Sequence, residues 1–242
     1  MTLTELEIMQ AQYIVDELRR QQQDARVNEF NNRKRLSLMG ARYANVTLAN
    51  ATVTPSNADA IALCKKYLQS CVNMLSHAIG LYFVGDNGTG KTYLTACLCN
   101  DLVAKGYYCL YTNLSQMLGE IQNSRNDYQS ENALFAKLQT YDFVFIDDLG
   151  KEFLGREYDT SKVKWAEKKL FEIINLRYNA SKPTIFSSNY TIAELATVLK
   201  LDKAIVDRIF EMSTRIITLK GDDFRVAARK QAEAIATELI NY

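Results

Sequence analysis

The 242-residue sequence has almost no charge imbalance, a single histidine and no long apolar run. Lys and Arg number 29 against 28 Asp and Glu, so no global basic field marks the chain as a nucleic-acid binder, and any such contact has to come from a local patch. His77 stands alone, and none of the five cysteines (Cys64, Cys71, Cys97, Cys99, Cys109) forms a Cys-x-x-Cys pair, which argues against a zinc site of the usual spacing. An odd cysteine count without disulfide spacing suits a reducing, cytoplasmic setting. No segment approaches the roughly 18–20 apolar residues that cross a bilayer, and the acidic opening MTLTELEIMQAQ does not read as a signal peptide, so no membrane role is expected. Internal repeats are absent too. What is present is an ordinary globular hydrophobic fraction of 48%, enough for one α/β domain and a small appendage.

The appendage is N-terminal. Over residues 4–35, Thr4 and Glu7 have capping-box spacing, and Leu6, Met9, Tyr13 and Leu18 mark an apolar stripe. Beyond Leu18 the run QQQDARVNEFNNRKR is polar nearly all round, which predicts a helix that projects from the body. It reads either as a solvated tail or as an arm whose stripe a partner buries. Residues 36–58 are irregular, and we set the division at 1–45 for the helical arm and 46–242 for the main domain. A helix is expected from Ala58, on the spacing of Ile61, Cys64, Tyr67, Leu68 and Cys71.

From there strands and helices alternate, implying a five-stranded, largely parallel sheet covered on both faces. The expected strands are Ile79–Gly85, Tyr108–Asn113, Phe143–Asp147, Thr184–Asn189 and Arg215–Leu219. The intervening helices include Lys91–Lys105, Val163–Asn179, Thr191–Lys200 and Lys203–Glu211, and a final helix covers about Val226–Ile240.

Gly85, Asp86, Asn87, Gly88, Thr89, Gly90, Lys91 and Thr92 fit the G-x-x-x-x-G-K-[ST] phosphate loop without mismatch, between the apolar strand LYFV and a helix opening with Tyr93. Glycines let backbone N–H groups curl around phosphate oxygens, and the following helix adds its N-terminal partial charge. In this pattern Lys91 neutralises β- and γ-phosphate charge and Thr92 ligates Mg²⁺. The chain is therefore expected to bind ATP and ADP with Mg²⁺. The apolar strand FVFI ends in Asp147 and Asp148, which a buried strand delivers to the sheet's carboxyl edge. Asp147 is the expected Mg²⁺ partner and Asp148 the residue that orients the attacking water. Asp148 is one methylene shorter than glutamate, consistent with slow turnover. Glu152 follows closely, either assisting or forming a salt bridge. The strand TIF ends in Ser187, Ser188 and Asn189, where a polar residue either senses γ-phosphate or caps the next helix.

The order GDNGTGKT, FVFIDDLGKE, PTIFSSN and IVDRIFEMSTR resembles the AAA+ ATPases of the bacterial helicase-loader group, DnaC and DnaI, with the related transposition helper IstB. The resemblance runs from about Leu36 to Arg225, and RLSLMGARYANVTLAN resembles the family's lead-in segment. It implies the P-loop AAA+ three-layer fold and assigns two further arginines. Arg208 matches the arginine finger that reaches a neighbouring subunit's γ-phosphate, so self-association runs through it. Arg225 matches the sensor-2 arginine that touches nucleotide in its own subunit. The family also places extra helical sequence at about residues 114–140, where single-stranded DNA passes. Arg125 and Lys137 are the basic residues there, and Tyr128 and Phe135 are aromatics able either to stack on bases or to sit in the core. The chain departs from the DnaI branch in lacking a zinc module, and the short sequence after Arg225 leaves no separate lid domain. Both features resemble the DnaC branch. The resemblance implies an oligomeric, ATP-dependent loader of a DnaB-type replicative helicase onto single-stranded DNA, with the arm as the helicase contact. The alternative is an IstB-like transposition ATPase acting on duplex DNA with a transposase.

Overall fold

The structure is a computed structural model that describes residues 3–123, 128–153, 160–221 and 223–240. It begins with one helix, α1 (Leu3–Leu36), followed by a short 3-10 turn at Ala41–Tyr43 and the helices α2 (Ala58–Gln69) and α3 (Cys71–Ser76). The alternating region then runs β1 (Leu81–Val84), α4 (Lys91–Ala104), β2 (Cys109–Asn113), α5 (Leu114–Asn123), α6 (Tyr128–Thr140), β3 (Phe143–Asp147), α7 (Thr160–Asn179), β4 (Thr184–Ser188), α8 (Ile192–Thr197), α9 (Lys203–Met212), β5 (Arg215–Thr218) and α10 (Phe224–Ile240).

The five strands form one parallel sheet in the order β2-β3-β4-β1-β5. Parallel strands covered on both faces must be apolar throughout, and LYFV, FVFI and TIF meet that need: every residue of β1, β3 and β4 is buried. Their alternating side chains feed two cores. Tyr82, Val84, Leu110, Val144, Ile146 and Phe186 face the layer of α5 to α9, whereas Leu81, Phe83, Tyr111, Phe143, Phe145 and Ile185 face α2, α3 and α4. The three-layer α/β architecture expected from the resemblance is therefore present. All five cysteines lie in the second layer, and burial pushes the Cys64 and Cys97 thiols up to about 12, which keeps them protonated and inert.

Arg177, at the end of α7, locks the near edge of this frame. It is fully buried, and its guanidinium donates to the carbonyls of Leu138 and Tyr141 at the end of α6, to those of Asp142 and Pro183, and to Thr184 Oγ1. One side chain thus satisfies acceptors at the C-terminus of α6 and at the starts of β3 and β4.

α1 is about 50 Å long from its residue count and the 1.5 Å rise. Tyr13, Ile14, Val15 and Leu18 are exposed, while its last turns are anchored: Phe30 and Leu36 pack on the two cores and Ser37 is fully buried. The carbonyl of Ser37 accepts from Tyr111 N of β2 at 2.8 Å. The side chains of Leu6 and Met9 lie outside the described residues, as do Arg125 and the side chain of Tyr128. Phe135 packs, partly buried, against the first core.

Helix ends differ from expectation where caps decide them. Thr191 lies outside α8 as its N-cap, in a capping box with Glu194, and Lys200 takes a positive φ beyond the helix end. α10 starts two residues earlier than expected because Asp223 Oδ1 accepts from Arg225 N. Among the described residues no helix is long and apolar enough to cross a membrane.

Candidate nucleotide site

The sheet order explains the site. The adjacent strands β3, β4 and β1 end side by side, and each carries a polar terminus: Asp147-Asp148, Ser187-Ser188-Asn189 and the loop from Gly85. Ligands of open α/β sheets bind at this carboxyl edge. The loop turns through positive φ at Gly88 (82°) and Gly90 (95°) and delivers Lys91 as the first residue of α4. A side chain at Gly88 would be strained by its positive φ, and its Cβ would push the Asp223 carboxylate aside. Gly85 is restricted more firmly, since its Cβ would lie 2.2 Å from the backbone carbonyl of Leu219 at the neighbouring strand end.

Lys91 is buried, and Nζ donates to the carbonyls of Gly85 (2.6 Å) and Asp86 (2.9 Å) and to Asn189 Oδ1 (2.7 Å). Burial lowers its pKa, against the opposing pull of Asp148 and Asp147. Asn189 also donates to Asn87 Oδ1 at 3.0 Å, so it bridges the lysine and the loop, while Thr191 alone caps the next helix. Thr92 Oγ1 donates to Asp147 Oδ2 at 3.0 Å, and Ser187 Oγ donates to Asp147 Oδ1. Burial raises the Asp147 pKa, hydrogen bonds from Ser187, Thr92 and Tyr111 lower it, and the Asp148 charge raises it again. The paired hydroxyl and carboxylate, both hard oxygen donors, fit Mg²⁺. Thr92 and Asp147 are the residues that would hold it.

Asp148 sits at φ 55°, a left-handed conformation that aspartate tolerates better than most residues. Its N–H donates to Ser187 Oγ and its carboxylate pairs with Lys151 at 2.7 Å, half exposed toward the cavity. Glu152 does not line that cavity. It accepts from Ser115 Oγ at 2.6 Å, and the described residues give its other oxygen no hydrogen-bond partner.

The cavity over the loop measures about 410 Å³. Asn87 to Leu94, including Tyr93, form its floor, with Asp148 at one end and Phe224 and Arg225 on one wall. Arg225 is exposed at that wall. Arg208 does not line the cavity. Its guanidinium lies over α7, 5.1 Å from the Phe171 ring and 5.8 Å from the Tyr178 ring, and donates to the Ala204 carbonyl.

Sequence reasoning missed the opposite wall, formed by Arg42, Tyr43, Val46, Thr52 and Asn57. Long-range bonds hold it: Asn100 Nδ2 donates to the carbonyls of Tyr43 and Val46, and Asp101 accepts from Leu48 N. Asn100 and Asp101 are consecutive polar residues in the otherwise apolar second half of α4, and that was the available signal. Ser187, which ties Asp147 to Asp148, was noted only as part of a polar strand end.

Comparison with known proteins agrees with the geometry. Residues 7–232 match the model of the IstB-like ATP binding protein family. The replicative helicase loader DnaI of Bacillus subtilis is 29% identical over 170 residues, covering 67% of this chain and 51% of that protein. The phage-like element PBSX protein XkdC of the same organism is 29% identical over 148 residues, covering 60% of this chain and 52% of that protein. The chain thus spans about half the length of these curated relatives. A crystal structure of the DnaC helicase loader superimposes with a TM-score of 0.62 at 24% identity, covering 75% of this chain and all of that one, which supports the fold. The phosphate loop, the acidic strand end, the five-stranded parallel sheet and a family match over nearly the whole chain agree, and the protein belongs to the IstB-like ATP-binding family of the AAA+ DnaC/IstB group.

Proposed function

We propose that the protein is an ATPase that loads a replicative hexameric helicase onto single-stranded DNA as an ATP-bound oligomer. The observation that carries this reading is α1, a long helix whose far portion exposes Tyr13, Ile14, Val15 and Leu18 while Ser37, just past its near end, is bonded to the edge strand β2 of the ATPase sheet. Residues 1–45 serve as the helicase-binding arm and 46–242 as the ATPase domain. Ile14 and Leu18 are one helical turn apart and form the centre of an apolar face that a partner helix or groove can bury. The relationship to DnaI supports the choice of partner.

In this reading the loop amides and Lys91 hold the β- and γ-phosphates, Arg225 contacts nucleotide from its own wall, and Asn189 reads the γ-phosphate. Bound Mg²⁺ supplies charge neutralisation at the phosphates. Asp148 orients a water that attacks the γ-phosphorus as the bond to the β-phosphate oxygen breaks, giving ADP and phosphate. Arg208 of a second copy stabilises the charge on the transferring group, so turnover depends on assembly. The near-neutral net charge favours this role over a transposition ATPase that bends duplex DNA.

The test is co-purification of the full-length protein with its host's replicative helicase, repeated with the double variant Ile14→Asp and Leu18→Asp. We expect wild type to retain the helicase, and the double variant to lose retention at least about tenfold while nucleotide affinity stays unchanged, as for hot-spot residues at an interface. Absence of wild-type binding contradicts the loader reading, and retention by the variant removes the arm from it. Deleting residues 1–40 is unsuitable because the deletion removes Phe30, Leu36 and Ser37 from the cores.

A further inference from the structure

We infer that Tyr111 of β2 is a positioning residue for the Mg²⁺ ligands of this site, an inference that rests on the nucleotide-site reading above. Tyr111 lies one strand away from the acidic strand end, paired in register with Phe145. Its side chain runs beneath the start of α4. The hydroxyl bonds to Thr95 Oγ1 at 2.9 Å and donates toward the carbonyl of Thr92 at 3.3 Å, and its presence favours the charged form of Asp147. One phenol therefore bonds to the backbone of one expected metal ligand, Thr92, whose own hydroxyl donates to the carboxylate of the other. It does so from the buried side, opposite the cavity.

The hydroxyl is itself held from three directions. Ring stacking against Phe145 (centroids 5.8 Å apart, planes 21° apart) fixes the plane of the phenol. The backbone N–H of Tyr111 donates to Ser37 O at the foot of α1. Thr95 completes the arrangement, its Oγ1 also bonding back to the carbonyls of Lys91 and Thr92. A phenylalanine would fill the same volume and keep the stacking, so the sheet does not require the hydroxyl. The hydroxyl is a buried polar group whose partners are Thr95 and the metal-binding turn at Thr92, which is how an outer-shell residue sets the orientation of ligands.

Tyr111→Phe tests this with fluorescent ATP binding to the full-length protein, measured in excess EDTA and across a Mg²⁺ titration. The expected result is unchanged affinity in EDTA, with the Mg²⁺ concentration for half-maximal enhancement raised about tenfold, the lower end of the range for outer-shell changes. Equal loss with and without Mg²⁺ marks a purely structural role and overturns the inference, as does an unchanged Mg²⁺ midpoint. If Tyr111→Phe fails to fold, Thr95→Val removes the hydroxyl that positions the phenol. It should raise the midpoint in the same direction but by less, because the phenol remains, and no shift overturns the inference. The wild-type titration separates the two levels of the argument. If wild type shows no Mg²⁺ enhancement, the assignment of Thr92 and Asp147 falls and the inference falls with it.

Discussion

Arg177→Ala is expected to lower the unfolding free energy by about 4 kcal/mol, the range seen when a buried charged hydrogen-bonding partner is removed. The guanidinium sits between three chain segments, and its donors meet four backbone carbonyls and one hydroxyl. Burial pulls its pKa down to about 10, with Asp142 opposing, so it remains charged at neutral pH. Alanine leaves those acceptors without their donor in a place water cannot easily reach, and it opens a cavity at the base of the sheet. For a chain of this size the loss corresponds to a fall in Tm of about 8–16 °C. Arg177→Lys keeps the charge but only one donor centre, and Arg177→Met keeps volume without donors. Thermal unfolding should therefore rank them wild type, then lysine, then methionine, then alanine. A fall under about 1 kcal/mol for alanine, the size of an ordinary surface change, would show that the acceptors find other partners.

Lys91→Ala should weaken nucleotide binding by at least about 100-fold, or roughly 2.7 kcal/mol at RT ln 100. The ammonium is buried at the loop's centre, already aligned by Gly85, Asp86 and Asn189, and a charge-assisted bond to phosphate in such a site is strong. The fold should survive, because the loop's remaining geometry rests on Gly88 and Thr89, whose Oγ1 donates to the Asp86 carbonyl. Fluorescent nucleotide titration measures the effect. Affinity within about threefold of wild type, under 1 kcal/mol by the same relation, would mean that the amide cradle alone holds the phosphates.

These two residues show what the sequence made legible. Lys91 belongs to a contiguous motif whose spacing is dictated by phosphate geometry, so it could be read without the fold. Asp147 and Asn189 were legible for a similar reason, since each ends an apolar run and must emerge at the sheet's carboxyl edge. Arg177 was not legible, because a lone arginine on a polar-faced helix reads as a surface residue and its acceptors are spread over residues 138–184. Tyr111 falls within an expected strand with no motif to single it out, and its hydroxyl acquired meaning only from the register of β2 against β3. The wall at Arg42 to Asn57 was hidden for the same reason, as its position depends on Asn100 and Asp101 more than fifty residues away. Sheet order itself was out of reach: local patterns give five strands but not the insertion of β4 between β1 and β3, which brings Asn189 onto Lys91.

The location of Arg208 leads to the central claim. It stands on α9 against the Phe171 and Tyr178 rings of α7, and it does not line the cavity of its own chain. If it completes a neighbour's site, two inactive proteins should restore each other. Asp148→Asn retains the finger but not the water-orienting carboxylate, and Arg208→Ala retains the carboxylate but not the finger. Each alone is expected to hydrolyse ATP at least about 100-fold more slowly than wild type, within the range for loss of an arginine finger or a positioned catalytic group. Mixed in equal amounts, they should recover about a quarter of wild-type activity, because one head-to-tail interface in four pairs an intact pocket with an intact arginine. A mixture no more active than its components, with both variants still binding nucleotide, would contradict a site shared between subunits.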